Sequence, residues 1–233
     1  MISRKFTHLA LSLVLSASFT TQLAAQETGS EALVAREQAA PAGWNPADWD
    51  LEDSEFTPEA GWHFGKLDNG MRYIIRRNNR PEGTALVRME IAAGSLDERD
   101  AERGFAHYLE HMAFNGSTHV PEGEMIKLLE REGLAFGADT NASTDFERTQ
   151  YKLDLPRADP ALLDTALMLM RETASELTIA QDAVERERGV ILSERRVRND
   201  YNFKNTVDRL EFAYPEARIS QRLPIGTIET LET

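Results

Sequence analysis

A change of hydrophobic period near Glu102 constrains the fold of this chain more than any other feature. Before it, apolar residues alternate. In TALVRMEIAAG, Ala85, Val87, Met89 and Ile91 share one face, as in a strand with one buried side. Upstream, two short strand-like runs in WHFGKLDNGMRYIIRRNN flank Asp68-Asn69-Gly70, a hairpin signal because Asn and Gly both tolerate positive φ. After Glu102 the spacing becomes helical. Phe105, Leu109 and Met112, widened by Ala106 and Ala113, form a stripe expected to face a core, and Asn115-Gly116 offers a left-handed exit. A second helix is predicted from Pro121 to Arg131, with Met125, Leu128 and Leu129 inward. Alternation at Tyr151, Leu153 and Leu155 predicts a further strand or hairpin. Asp159-Pro160 opens a helix through Glu176, and a charged helix follows from Ala180 to Asn199. This order predicts an α+β domain with helices packed on a largely antiparallel sheet. The tail holds one more helix, then Pro, Gly and polar residues without a closing strand, so the domain, expected over 61–233, is read as incomplete at its C-terminus.

The first 25 residues follow a different logic. Arg4 and Lys5 precede the apolar run LALSLVLSASF and the small-residue stretch LAAQ, the layout of a secretory signal peptide cleaved after Ala25. That run is about 11 residues, short of the roughly 20 that cross a bilayer as a helix. The chain is therefore expected to be exported, to the periplasm or beyond it, with no stable membrane span. Residues 26–60, rich in Ala, Pro, Glu and Asp, read as an extended leader that becomes ordered near Trp44 and Trp49. Removal of the signal leaves 24 of the 26 basic residues against 39 acidic ones, a net charge of −15. An acidic excess of this size excludes nucleic acid as the main partner, since phosphate binding requires basic patches. The chain has no cysteine, so any metal site must use nitrogen and oxygen ligands.

The stretch HYLEH, residues 107–111, meets that requirement. On a helix His111 sits about 40° from His107 and one turn along, and Glu110 about 60° to the other side, so all three fit an arc of about 100°. Two imidazoles one turn apart can reach one ion, as in zinc peptidases with paired helical histidines. Zinc makes nearby water acidic enough, with a pKa toward about 7, for a carboxylate such as Glu110 to take its proton at neutral pH. The apolar stripe on the opposite face implies that the histidines lie outside the core.

A catalytic zinc needs a third protein ligand. Of the other histidines, His8 is in the signal, His63 in a strand and His119 in a turn. The charged helix offers carboxylates instead. Glu187 and Glu194 are two turns apart and share a face to within about 20°, whereas Glu185 points about 200° away from Glu187. Spacing leaves Glu187 and Glu194 both open as the ligand, and a solvent face paired with Arg186, Arg188, Arg195 and Arg196 remains the bland alternative.

HYLEH followed by MAFNGS, then NAST and ERGVILSE, resembles the pitrilysin and insulinase family of zinc metallopeptidases, whose inverted motif is His-x-x-Glu-His. The resemblance covers roughly residues 60–233. It implies a pitrilysin-like N-terminal domain holding one zinc ion through His107, His111 and Glu194, with Glu110 as general base and Glu187 supporting the site from behind. The interval of 83 residues from His111 to Glu194 is a few longer than the family pattern, which keeps Glu187 open as the ligand. The resemblance also places Asn141 and Ala142 at the edge that pairs with an extended substrate, a peptide or unfolded polypeptide. It further implies a homologous second half, in a longer chain or a partner subunit. The function expected is zinc-dependent endopeptidase. A non-catalytic scaffold or peptide-binding subunit is the alternative, although such relatives lose ligands or the base and this chain keeps them all.

Overall fold

The computed structural model describes residues 42–232 apart from 56 and 60, so the expected signal peptide and the first part of the leader lie outside the described residues. The chain divides into two units between Asn79 and Arg80.

In the first unit, β1 (Trp62–Lys66) and β2 (Arg72–Arg76) pair antiparallel, from Trp62↔Arg76 to Lys66↔Arg72. Gly70 alone of the Asn-Gly pair takes positive φ, at 88°. Asn69 contributes through its side chain, whose Oδ1 accepts from Met71 N at 3.0 Å. Trp44 and Trp49 pack edge-on against Phe64, with ring centroids 4.9 and 5.4 Å away.

The second unit contains β3 (Ala85–Ile91), α1 (Phe105–Met112), α2 (Glu124–Arg131), β4 (Thr140–Thr144), β5 (Thr149–Leu155), α3 (Pro160–Ser175), α4 (Gln181–Arg198), α5 (Tyr201–Ala213) and the short α6 (Ile228–Leu231). The strands form an antiparallel sheet in the order β3-β5-β4, with Met89↔Tyr151 and Ala142↔Tyr151 in register. Every second residue of β5 is buried, namely Thr149, Tyr151, Leu153 and Leu155. Tyr151, Leu153 and Leu155 join Met89 with Met125 and Leu129 of α2 and Leu162, Ala166, Leu169 and Met170 of α3 in one core. Each fully buried Leu or Met there contributes about 1.5–3 kcal/mol of hydrophobic stabilisation. The α+β architecture, with helices packed on antiparallel sheet, is as expected. Asp159 caps α3 by accepting from Leu162 N at 2.9 Å, and Pro160 opens it.

One expectation fails. The stripe of α1 does not face the core as a whole. Met112 and Ala113 are buried, but Phe105 and Leu109 are each 47% exposed, while His107 and Glu110 are buried. The reason is that α1 packs against α4 and against β4 and β5, so its polar face is turned into the protein. The Tyr108 hydroxyl donates to Val184 O of α4 and holds that orientation. The tail after α5 is closely packed. Arg222, Ile225 and Leu231 are buried, the Ser95 hydroxyl donates to Arg222 O, and Arg195 Nε of α4 donates to Gly226 O at 3.1 Å.

Candidate metal centre

The helix that carries the histidines starts at a position built for it. Gly104 takes φ 99°, and a side chain there would come within 2.9 Å of the Gly226 Cα. The Glu98 carboxylate accepts from Gly104 N at 2.9 Å and Ala106 N at 2.8 Å, satisfying N–H groups that a helix start leaves without partners and placing negative charge at the positive end of the dipole.

From this start α1 presents His107 and His111 side by side, with ring centroids 4.7 Å apart. Across from them α4 brings Glu194, whose Oε2 lies 3.6 Å from His107 Nε2 and 3.3 Å from His111 Nε2. One donor atom from each of these three residues lies within 4.8 Å of the others, the only such group of at least three among the described residues. Glu187, one of the two carboxylates that spacing left open, meets the opposite nitrogen of His111, with Oε2 3.0 Å from Nδ1. Both glutamates face α1, as their two-turn separation predicts, but they address different sides of the same ring. Arg198, one turn beyond Glu194, pairs with its other oxygen at 2.5 Å.

The electrostatics suit a cation. Burial pushes the His107 pKa down, against the raising effect of the Glu194 charge, so its ring is neutral with a lone pair to offer. Burial also works to lower His111, but hydrogen bonds to Glu194 and then Glu187 outweigh it, and the net displacement is upward. Glu194 is held below the usual carboxylate range, first by its hydrogen bond to His111. Two imidazoles and an ionised carboxylate, with no sulfur, form a donor set that zinc accepts. Glu187, on His111 Nδ1, stands where metal-bound histidines usually have a partner to their other nitrogen. His107 Nδ1 is buried with no hydrogen-bond partner among the described residues.

Glu110, beside the histidines, is buried and its Oε2 accepts from Thr144 Oγ1 of β4 at 2.6 Å. Burial raises its pKa, and the Thr144 hydrogen bond works against that rise. The strand order leaves β4 with no strand beyond it among the described residues. At one end of that edge Thr140 N and O bond Ala135 O and Gly137 N, and further along Ala142 N is taken by the neighbouring Asn141 Oδ1 at 3.0 Å. Asn141 is exposed on this edge and Ala142 half-buried.

Sequence reasoning missed Glu98, Thr144 and Arg198. Only Arg198 carried a local signal, its spacing of four from Glu194; the contacts of Glu98 and Thr144 depend on loops whose path no periodicity predicts.

Comparison with known proteins shows the family. The family model described as Insulinase (Peptidase family M16) matches residues 73–221. "Probable zinc protease PqqL" of Haemophilus influenzae is 38% identical over 171 residues, which cover 72% of this chain and 18% of that protein. The protein of the same description in Escherichia coli is 36% identical over 169 residues, with the same coverage. The crystal structure of the first half of the periplasmic protease PqqL from Escherichia coli superposes with a TM-score of 0.71 at 35% identity, covering 74% of this chain and 37% of that one. For pitrilysin the TM-score is 0.60 at 26% identity, over 73% of this chain and 17% of that one. The chain thus spans less than a fifth of the length of these curated relatives. With the motif, the paired helices and these matches together, the chain belongs to the insulinase family of peptidases, family M16.

Proposed function

We propose that this chain is the N-terminal, zinc-holding domain of an exported metalloendopeptidase that cleaves peptides or unfolded polypeptide segments. The convergence of His107, His111 and Glu194 from two helices carries the reading. These three residues would hold one zinc ion, and Glu187 would fix the orientation of His111. The ion, when bound, supplies the Lewis acidity that makes water a ready proton donor near neutral pH and polarises the scissile carbonyl.

The chain's own residues do the rest. Glu110 takes a proton from the attacking water as its oxygen bonds to the carbonyl carbon. It then delivers that proton to the amide nitrogen as the C–N bond breaks, leaving a carboxylic acid, which passes its own proton to the freed amine. The edge of β4 at Asn141 and Ala142 would receive an extended substrate, which would take over Ala142 N from Asn141 Oδ1, because main-chain hydrogen bonds bind any sequence. A homologous second half, in the same chain or a partner, would close the site over the substrate. Export to the periplasm is supported by the signal-like first 25 residues and by the periplasmic relative. Among the described residues no helix is long and apolar enough to cross a membrane.

The test is Glu110→Gln in the full-length gene product. Zinc should stay at one per domain while peptide hydrolysis falls by about 10²–10⁴-fold, the usual contribution of a general base. A variant that still hydrolyses peptides at the wild-type rate would rule out Glu110 as base. Wild-type protein that binds zinc and turns over no peptide would favour the scaffold alternative.

A further inference from the structure

We propose that Thr144 is a positioning residue for Glu110, holding the carboxylate in place from the same strand whose open edge would receive the substrate. The inference rests on the reading of Glu110 as the base. The Thr144 hydroxyl donates to Glu110 Oε2 at 2.6 Å, within the range of charge-assisted O–H···O bonds. With Oε2 engaged, Oε1 is the oxygen left to meet the proton of a water. Direction matters here, because a displacement of about 1 Å at a reacting group can cost about 10²-fold in rate.

A hydrogen bond positions only if both its ends are fixed, and one loop fixes both. Residues 94–98 end in Glu98, whose carboxylate caps the helix that carries Glu110. The same loop grips the turn that follows Thr144, with Ser95 N donating to Asp145 O at 3.1 Å and Leu96 N to Phe146 O at 2.8 Å. Gly94 makes this approach possible, since a Cβ there would lie 2.6 Å from Asp145 O, Glu147 N and Arg148 N. The turn is closed in itself, as the Asp145 carboxylate accepts from Glu147 N at 3.0 Å and Arg148 N at 3.1 Å. The Thr144–Glu110 contact therefore completes a ring that runs through α1, Glu98, the 94–98 loop and the 145–148 turn. Thr144 also stands two residues from Ala142 on the open edge, which ties the placement of the base to the strand that would align the substrate.

The experiment compares Thr144→Val, which keeps the shape and removes the hydroxyl, with Thr144→Ser, which keeps the hydroxyl, and runs Glu110→Gln in parallel. Each is made in the full-length gene product. Zinc content, melting temperature, and kcat and KM on a quenched fluorescent casein peptide are measured. Thr144→Val should lower kcat about 10–100-fold with KM within about twofold and zinc unchanged, and Thr144→Ser should stay within about threefold of wild type. Three outcomes overturn the proposal while leaving the base in place: Thr144→Val turning over like wild type, equal losses in both Thr144 variants, or a loss confined to KM or zinc content. Full activity in Glu110→Gln would instead remove the base itself, and the proposal with it.

Discussion

At the scale of single residues, each ring nitrogen of His111 has a different carboxylate beside it, and the two should fail differently when altered. Glu187→Gln removes a charged acceptor from the nitrogen that faces away from Glu194. Its zinc affinity, measured against a competing chelator, should fall about 10–100-fold without abolishing binding, as for supporting partners of metal ligands. His107, Glu110 and His111 were legible because their geometry is local: three positions on one helical turn have one possible arrangement. Glu194 and Glu187 were legible only as a pair, because spacing along one helix says nothing about which carboxylate meets which nitrogen on another. Thr144 was not legible at all, since its contact with Glu110 depends on a hairpin and a loop meeting in space.

Away from the metal group, Glu172 of α3 is fully buried and ties down the loop that follows α1. It accepts from His119 N at 3.0 Å and Ser117 Oγ at 2.7 Å, with His119 Nδ1 at 2.9 Å. These bonds, the His119 backbone N–H first, hold its pKa down from the ordinary 4.5 to about 2. A carboxyl held low in the folded state stabilises it fully above the unfolded value and loses that contribution as pH falls through the folded one. Glu172→Gln should therefore lower the unfolding midpoint at pH 6–7, and the gap from wild type should narrow as pH falls from about 4.5 to about 2. Denaturant titrations across that range check it; a gap that widens toward acid would reverse the assignment.

At the scale of elements, the periodicity located strands and helices well because a buried face imposes it, and α3 and α4 lie within a residue of where their caps and patterns placed them. The orientation of α1 was misread. Its apolar stripe was assigned to the core, but a helix sandwiched between α4 and the sheet buries more than one face, so His107 and Glu110 are buried along with Met112 while Phe105 and Leu109 stay exposed. The Pro- and Gly-containing tail, read from the sequence as one helix without a closing strand, is closely packed. Gly226 shows how close that packing is. It takes φ 71°, and a Cβ there would stand 2.6 Å from Arg103 O and 2.7 Å from the Gly104 Cα, at the start of α1. Gly226→Ala should destabilise the full-length protein by about 1–3 kcal/mol from backbone strain, before any cost of the clash. A denaturation midpoint equal to wild type would contradict this packing.

For the whole molecule, the family and its fold follow from the motif, the architecture and the matched relatives. This chain corresponds to less than a fifth of the length of those relatives. The proposed function rests on one joint, where α1 and α4 bring two imidazoles and a carboxylate together. The most direct test is the zinc affinity of the full-length gene product, by chelator competition, for Glu194→Ala beside Glu185→Ala, an exposed position on the same helix. Glu194→Ala should lose zinc affinity by more than about 100-fold, against near-wild-type binding in Glu185→Ala. Undiminished zinc binding in Glu194→Ala would contradict the account.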